Sequence, residues 1–421
     1  MQAITKNATE RFRLMLVAGE ASGDAHAAAL VTALRRLAPE ADFELFGRPG
    51  PRMRASGVES TVEDGDLAIM GIFEVARALP RFWRTYRQLQ AAARRRRPEA
   101  AILVDWPEFN LRLARALRRD GVRVIYYISP QLWAWREGRV RCIARDVDLL
   151  LSILPFEPAW YAARGISHVE FVGHPLVGEV RPSRTRAEFC RAHALDPERP
   201  LIALLPGSRR KELQRILPPM LDAACIVERG TESAQFVVAL APSRTHDELA
   251  RLFAAHARAP HNLRVVHDET YDALAAADAA AVASGTATLE AMLLETPLVV
   301  VYRESSINWH TLGRLIRTDD VGLVNLIAER RIAPELIQDE FTPENLAREL
   351  LALLVPSRNH AMRAELRAAK TKLGAGGASA RAAHAVIQAV RRWRSDDQTQ
   401  AALEASSSLA QHRTETYERR T

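Results

Sequence analysis

Residues 13–24 read RLMLVAGEASGD, and this stretch decides the fold. After Arg13 the run to Ala18 is apolar, too short for a helix, and stopped by Gly19; the alanine-rich stretch Asp24–Leu37 then repeats its apolar residues at helical spacing. That is strand, tight turn, helix. The unit recurs with AAILVD (100–105) before NLRLARALRR, with VRVIYYIS (122–129) before a tryptophan-rich loop, and with HVEFVG (168–173). Continuous apolar strands alternating with helices predict a parallel sheet covered on both faces.

A proline-rich, charged stretch at Arg181–Pro200 separates this half from a second series: LIALLPGSRR (201–210), QFVVALAP (235–242), LRVVHD (263–268), DAAAVASG (278–285) and PLVVVYR (297–303). The expected fold class is therefore α/β, with two facing, doubly wound Rossmann-like domains at 12–180 and 200–375. Residues 1–11 read as a flexible start, 376–394 as a final helix after the GAGG turn, and 395–421 as a polar tail, disordered or weakly helical. A chain of 421 residues is the right length for two such cores.

Composition narrows the function. The formal charge of +7 favours acidic partners, either nucleic acid, anionic lipid or phosphorylated substrates. The basic residues are scattered and no recognition module is present, so nucleic acid is not expected. No apolar run is long enough to span a membrane, and Glu10, Arg11 and Arg13 interrupt any leader-like pattern, so a cytoplasmic location is expected. Cys142, Cys190 and Cys225 have no spacing that suits a metal or a disulfide framework.

In open parallel sheets, ligands bind beyond the carboxyl ends of the strands, which directs attention to the polar residues after each apolar run. Gly19–Asp24, with Ser22 and Asp24, is either a phosphate cradle or a plain capped turn. Asp105 ends a strand, and Trp106-Pro107 delays the next helix and displays the carboxylate, which suits either a base or a loop tie. Gly207, Ser208 and Arg209 combine free N–H groups at a helix start with guanidinium groups, a pairing suited to a diphosphate; a solvated basic loop is the alternative. Ser284, Gly285 and Thr286 open a helix with small residues, and Glu290 lies one turn beyond Thr286. A capping box would explain these residues without a ligand, yet neither Ser284 nor Thr286 has Glu or Gln three positions on.

Leu67–Leu89 interleaves aromatic and apolar residues, Phe82 and Trp83 among them, with arginines, and Arg94, Arg95, Arg96 and Arg97 follow. Such a helix suits a membrane surface or, equally, a core stripe with a solvated arginine face.

Taken together, GEASGD (19–24), VDWPEFN (104–110), SPQLWAWREGR (129–139), GHPL (173–176), LLPGSR (204–209) and ASGTATLE (283–290) resemble, in order and spacing, the lipid-A-disaccharide synthase family, over about 12 to 390. The resemblance implies the two-Rossmann-domain glycosyltransferase fold known as GT-B, with the last helix returning to the first domain, and implies no cofactor and no required metal. It implies joining UDP-2,3-diacylglucosamine to 2,3-diacylglucosamine 1-phosphate at the cytoplasmic face of the inner membrane, releasing UDP and forming a β-1,6 link with inversion. A homodimer stays open. By position, Asp105 matches the family's general base, Arg209 and Ser284–Thr286 its leaving-group site, Glu290 its ribose-binding glutamate, and Asn325 an asparagine of its nucleotide-side loop. Ser129, Gln131, Trp133 and Trp135 would shape the acceptor pocket or serve structure alone. The chain departs from the family at Trp106, where a small residue is usual, at Val324, where proline is common, and in the tail after about Arg394. On the same fold, a UDP-N-acetylglucosamine 2-epimerase or a peptidoglycan N-acetylglucosaminyltransferase is the rival reading; a non-catalytic nucleotide-sugar or lipid-binding protein is another.

Overall fold

The computed structural model describes residues 9–62, 72–231, 233–256, 258–304 and 321–418. Two all-parallel sheets carry the chain. The first contains β1 (Arg11–Ala18), β2 (Asp42–Arg48), β3 (Glu59–Ser60), β4 (Ala100–Val104), β5 (Arg123–Tyr127), β6 (Leu149–Ser152) and β7 (Val169–Phe171), in the order 3-2-1-4-5-6-7. The second contains β8 (Leu201–Leu205), β9 (Gln235–Leu240), β10 (Leu263–His267), β11 (Ala279–Ala283), β12 (Leu298–Tyr302) and β13 (Glu335–Ile337), in the order 10-9-8-11-12-13. Each order reverses once, between β1 and β4 and between β8 and β11. These reversals are the crevices in which doubly wound sheets take ligands.

The continuous apolar strands serve two cores at once, because successive side chains leave opposite faces of a strand. On β1, Phe12, Leu14, Leu16 and Ala18 face one core while Met15 and Val17 face the other; on β4, Ile102 and Val104 oppose Ala101 and Leu103. The first of these cores is completed by the Ala21–Leu37 helix and by Ala382, Val386, Val390 and Trp393 of the last helix, which has returned to the first domain. The second lies under the helices Ile72–Arg96 and Pro107–Arg119.

Two boundaries differ from the sequence reading. The stretch 181–200 is not a bare linker: Thr185 caps the helix Arg186–Ala192, Arg186 pairs with Asp278, and Phe189 and Cys190 are buried in the second domain's core. The last helix runs from Ala378 to Glu418, past the boundary at Arg394, so of the two readings of the tail, disordered or weakly helical, the helical one describes it. Arg394 bound to Glu10 and Glu99, and Arg123 reaching Asp397, give its middle turns partners that no local pattern announces.

The chain passes between the domains twice, near 174 and near 375, and the passages touch. The His174 N–H donates to the Leu373 carbonyl at 3.1 Å, and Arg381 donates to the carbonyls of Val172, Gly376 and Ala375 at 2.7 to 2.9 Å. Gly173, at φ 83°, leaves no space for a Cβ beside the Arg381 guanidinium.

Candidate active site

The first crevice is built around Asp105. The Asp105 N–H still belongs to the sheet, donating to the Tyr127 carbonyl at 3.0 Å, but Asp105 and Trp106 then turn left-handed, with φ 49° and 50°. Non-glycine residues there cost roughly 1–2 kcal/mol each and persist only where their surroundings hold them. Pro107 opens the next helix, and the Phe109 and Asn110 N–H groups return to the Trp106 carbonyl. The Trp106 ring is turned into a cluster of its own: stacked on Phe109 at 4.2 Å, tilted against Phe82 at 5.6 Å, and under the Arg48 guanidinium at 5.0 Å. Gly19 is the residue that lets the ring lie against the β1 turn, since any Cβ there would enter it. The departure at position 106 is thus absorbed by packing. Burial first, and the Glu20 carboxylate second, push the Asp105 carboxyl above the usual range, while the Trp106 N–H opposes them. Glu20 was not singled out from sequence, where it looked like a turn residue.

The neighbours of Asp105 divide into exposed groups and internal ties. Ser22 is exposed on the first helical turn. Asp24 is buried and accepts from the Arg52 and Met53 N–H groups at 2.8 and 3.1 Å, so it starts a helix 28 residues away and is not a ligand group. In the loop after β5, Ser129 bonds the Tyr161 hydroxyl at 2.9 Å, and Trp133 donates to Glu157 at 3.2 Å. Both are buried and tied internally, as the structural alternative for them expects, whereas Gln131 and Trp135 are exposed, with Arg136 stacked on Trp135 at 4.3 Å. Trp133 and Leu154 belong to the second domain's core, and Glu157, which accepts from both, is fully buried. Burial carries the Glu157 carboxyl up to about 8. His174, of the GHPL stretch, is buried and its imidazole is pushed down to about 4, by burial and then by nearby His26.

The second crevice opens on a cavity of about 630 Å³ lined by Gly207, Ser208 and Arg209 after β8 and by Ser284, Gly285, Thr286 and Glu290 after β11. Arg181 and Tyr271, which the sequence reading did not single out, line it too. Arg209 is 83% exposed and pairs with Glu212 at 3.0 Å. The other Glu212 oxygen accepts from the Ser208 and Arg209 N–H groups at 3.2 and 3.1 Å. An internal carboxylate therefore occupies the donors that the sequence offered to a diphosphate. Gly285, at φ 148°, has open space where a side chain would stand, and Thr286 is exposed at the helix start. The Ser284 hydroxyl donates to the Val321 carbonyl at 3.0 Å, which leaves its lone pairs to the cavity. Burial raises the Glu290 carboxyl and lifts the Tyr271 hydroxyl to about 12, with Glu290 and Glu179 adding to the latter. Glu179 also feels Arg52 of the first domain, so the two rims approach one another there.

Asn325 needs correction. It is fully buried, donating to the Ala333 carbonyl and Glu335 and accepting from the Ile332 and Ala333 N–H groups, all at 2.8 to 2.9 Å. It pins the segment before β13 and does not line the cavity.

The basic, aromatic stretch also divides. Its first residues, 67–71, lie outside the described residues. Phe82 is half-buried in the Trp106 cluster, against the expectation of a membrane contact, while Trp83 is 59% exposed with Tyr86 and Arg87 beside it. Arg94 is bound to Asp120 and Arg96 to Glu59, so they are ion-pair partners; Arg95 and Arg97 are exposed. Among the described residues no helix is long and apolar enough to cross a membrane, and no three His, Cys, Asp or Glu side chains gather as a metal site.

Two parallel sheets, each with a crevice at its reversal, make the two-Rossmann-domain α/β fold known as GT-B. Solved structures share that fold: MurG of Acinetobacter baumannii at 14% identity and TM-score 0.54, covering 91% of this chain and 99% of that one. The UDP-GlcNAc 2-epimerase of Neisseria meningitidis matches at 10% identity and TM-score 0.56, covering 91% and 100%. The sequence goes further. The family model described as lipid-A-disaccharide synthetase matches residues 14–390, and the chain belongs to that family. It is 42% identical to the lipid-A-disaccharide synthase of Geobacter metallireducens, over 89% of this chain and 97% of that protein, and 44% identical to that of Myxococcus xanthus over the same shares. The epimerase and peptidoglycan-transferase alternatives rest on fold alone and are not favoured.

Proposed function

We propose that the protein transfers a 2,3-diacylglucosamine residue from its UDP derivative to the 6-hydroxyl of 2,3-diacylglucosamine 1-phosphate, at the cytoplasmic face of the inner membrane. The observation that carries this reading is the contrast between the crevices: a desolvated carboxylate at one and, at the other, a cavity lined by Arg209 and by the helix start at Ser284–Thr286. Asp105 takes the acceptor hydroxyl proton as that oxygen attacks the anomeric carbon, and the bond to the UDP oxygen breaks on the opposite face, giving inversion. A carboxyl raised towards neutrality is a better base than an ordinary aspartate. The charge developing on UDP is taken up by Arg209 and by the N–H groups at Ser284–Thr286, where a helix begins. The diphosphate displaces the Glu212 carboxylate from the Ser208 and Arg209 N–H groups, so nucleotide binding includes breaking that internal contact. Glu290 is placed for ribose hydroxyls. Exposed Trp83, Arg95 and Arg97 support docking on anionic lipid, where the acylated substrates reside.

The test is turnover with both acylated substrates, following UDP and disaccharide together. Equal amounts of each, unaffected by EDTA, are expected. Epimerised UDP-sugar with the acceptor unconsumed, or UDP binding without turnover, would reject the reading.

A further inference from the structure

The VDWPEFN stretch ends in Asn110, for which the proposed reaction has no use. Asn110 is fully buried in the first turns of the Pro107–Arg119 helix, and its Nδ2 donates to the carbonyl of Asp105 at 2.7 Å and to that of Val104 at 3.2 Å. A second buried donor meets the same carbonyl from the neighbouring strand β5: the Tyr126 hydroxyl, at 2.6 Å. Two side chains thus grip the peptide oxygen of one residue from different elements. That residue and its successor are the consecutive left-handed pair at the tip of β4. The arrangement is not simple satisfaction of polar groups, since Asn110 Oδ1 is buried with no hydrogen-bond partner among the described residues. With its acceptor unpaired, the Asn110 amide contributes here through its donors alone.

We propose that Asn110 and Tyr126 are positioning residues for the transfer step, their fork on the Asp105 carbonyl holding the left-handed pair and thereby fixing where the carboxylate stands. The inference rests on Asp105 being the base. Without the fork the 105–106 peptide is released to rotate towards the extended region, and rotation about φ and ψ of Asp105 carries its Cβ and carboxyl with it. The carboxylate is then no longer held in the crevice, where burial, Glu20 from the β1 turn and the Trp106 N–H set its affinity for a proton. Around the Tyr126 hydroxyl the charged and titratable neighbours are Asp105, Tyr161, Arg139 and Glu108, and none of them takes over its bond to the carbonyl.

The experiment compares full-length Tyr126→Phe, which removes one hydroxyl and keeps the ring, with Asn110→Ala and Asp105→Asn. It reads kcat, acceptor KM, UDP affinity, melting temperature and the acid limb of the rate profile. Tyr126→Phe is expected to lower kcat about 10-fold and Asn110→Ala about 100-fold, the scale for a reacting group displaced by about an ångström. UDP affinity should stay within about two-fold, because that site belongs to the other domain. The acid limb should move down towards the ordinary carboxylate range as the freed carboxyl gains solvent. If Asn110→Ala does not fold, Tyr126→Phe decides alone. An inactive Asp105→Asn beside a Tyr126→Phe enzyme with wild-type kcat and acid limb overturns the fork and leaves the base in place. A kcat loss with an unmoved acid limb and a matching loss of melting temperature and UDP affinity also overturns it, as a fold defect. An active Asp105→Asn removes the base assignment, and the fork's role with it.

Discussion

The crevices of the two sheets have the same topology and opposite mechanical character. At the first, Asp105 is held by its own strand, by strained backbone and by an aromatic stack behind Trp106, and its carboxyl is largely out of water. At the second, the main cation projects into solvent and the loop donors are occupied by a carboxylate from the same helix. The difference teaches where each kind of precision is needed. On the proposed reading, proton transfer tolerates little misplacement, which suits a group that its own fold already holds in place. A diphosphate is long, flexible and doubly charged, and a loop that rearranges can close on it.

The comparison breaks most visibly at the fixed rim. Asp105→Asn should lower kcat by about 10² to 10⁴ with UDP affinity unchanged, measured by turnover and by calorimetric titration of UDP. Equal effects on both quantities would mean that the rims are not separate in function. At the adjustable rim two substitutions should act in opposite directions. Arg209→Ala should weaken UDP binding by roughly 1.5 to 3 kcal/mol, the scale for hydrogen bonds to charged groups. Glu212→Gln should strengthen it several-fold, since a neutral amide competes less well for the N–H groups; weaker binding in Glu212→Gln would show that the carboxylate serves only as a helix cap.

A smaller effect sharpens the electrostatics of the fixed rim. Glu20 raises the Asp105 carboxyl by like-charge repulsion, so Glu20→Gln should shift the acid limb of kcat/KM to lower pH. Burial is the larger cause, so part of the elevation should remain. A shift to higher pH in the rate profile would contradict this sign. The smallest effect separates neighbours on one helix: Phe82→Ser should lower stability by roughly 1 to 3 kcal/mol in denaturant unfolding, whereas Trp83→Ser should leave stability alone and reduce binding to anionic vesicles. Similar outcomes for the pair would erase the distinction between a packed ring and an exposed one.

Strand tips were legible because the signal is local: an apolar run, then a polar residue, then helical spacing, as at Ala18, Val104, Leu205 and Ala283. Strands β2 and β6 escaped because DFELFGR mixes charge into its run and LLLS is too short to carry a period. Among the residues that line the second cavity, Arg209 and Thr286 are recognisable by type and place. The roles of Asp24, Trp133, Asn325 and Glu212 are not, since each depends on which backbone group or side chain the fold brings up to it. For Asp24 that partner is 28 residues away, and for Trp133 it is 24. The same composition that announces a ligand group also makes a good internal tie, and only the finished fold tells them apart.

The two chain passages between the domains meet at one spot, where Gly173 and Gly374 lie against each other and Arg381 is wedged beside them. Strands joined at separated points would brace the halves like a frame, and any relative motion would stretch one of them. Strands joined at a single point behave as the spine of a book. Rotation about that spine lengthens neither passage; what it disturbs is the packing across the gutter, where Trp133 and Leu154, with Phe156 and Trp160 beside them, lie against the second domain's core.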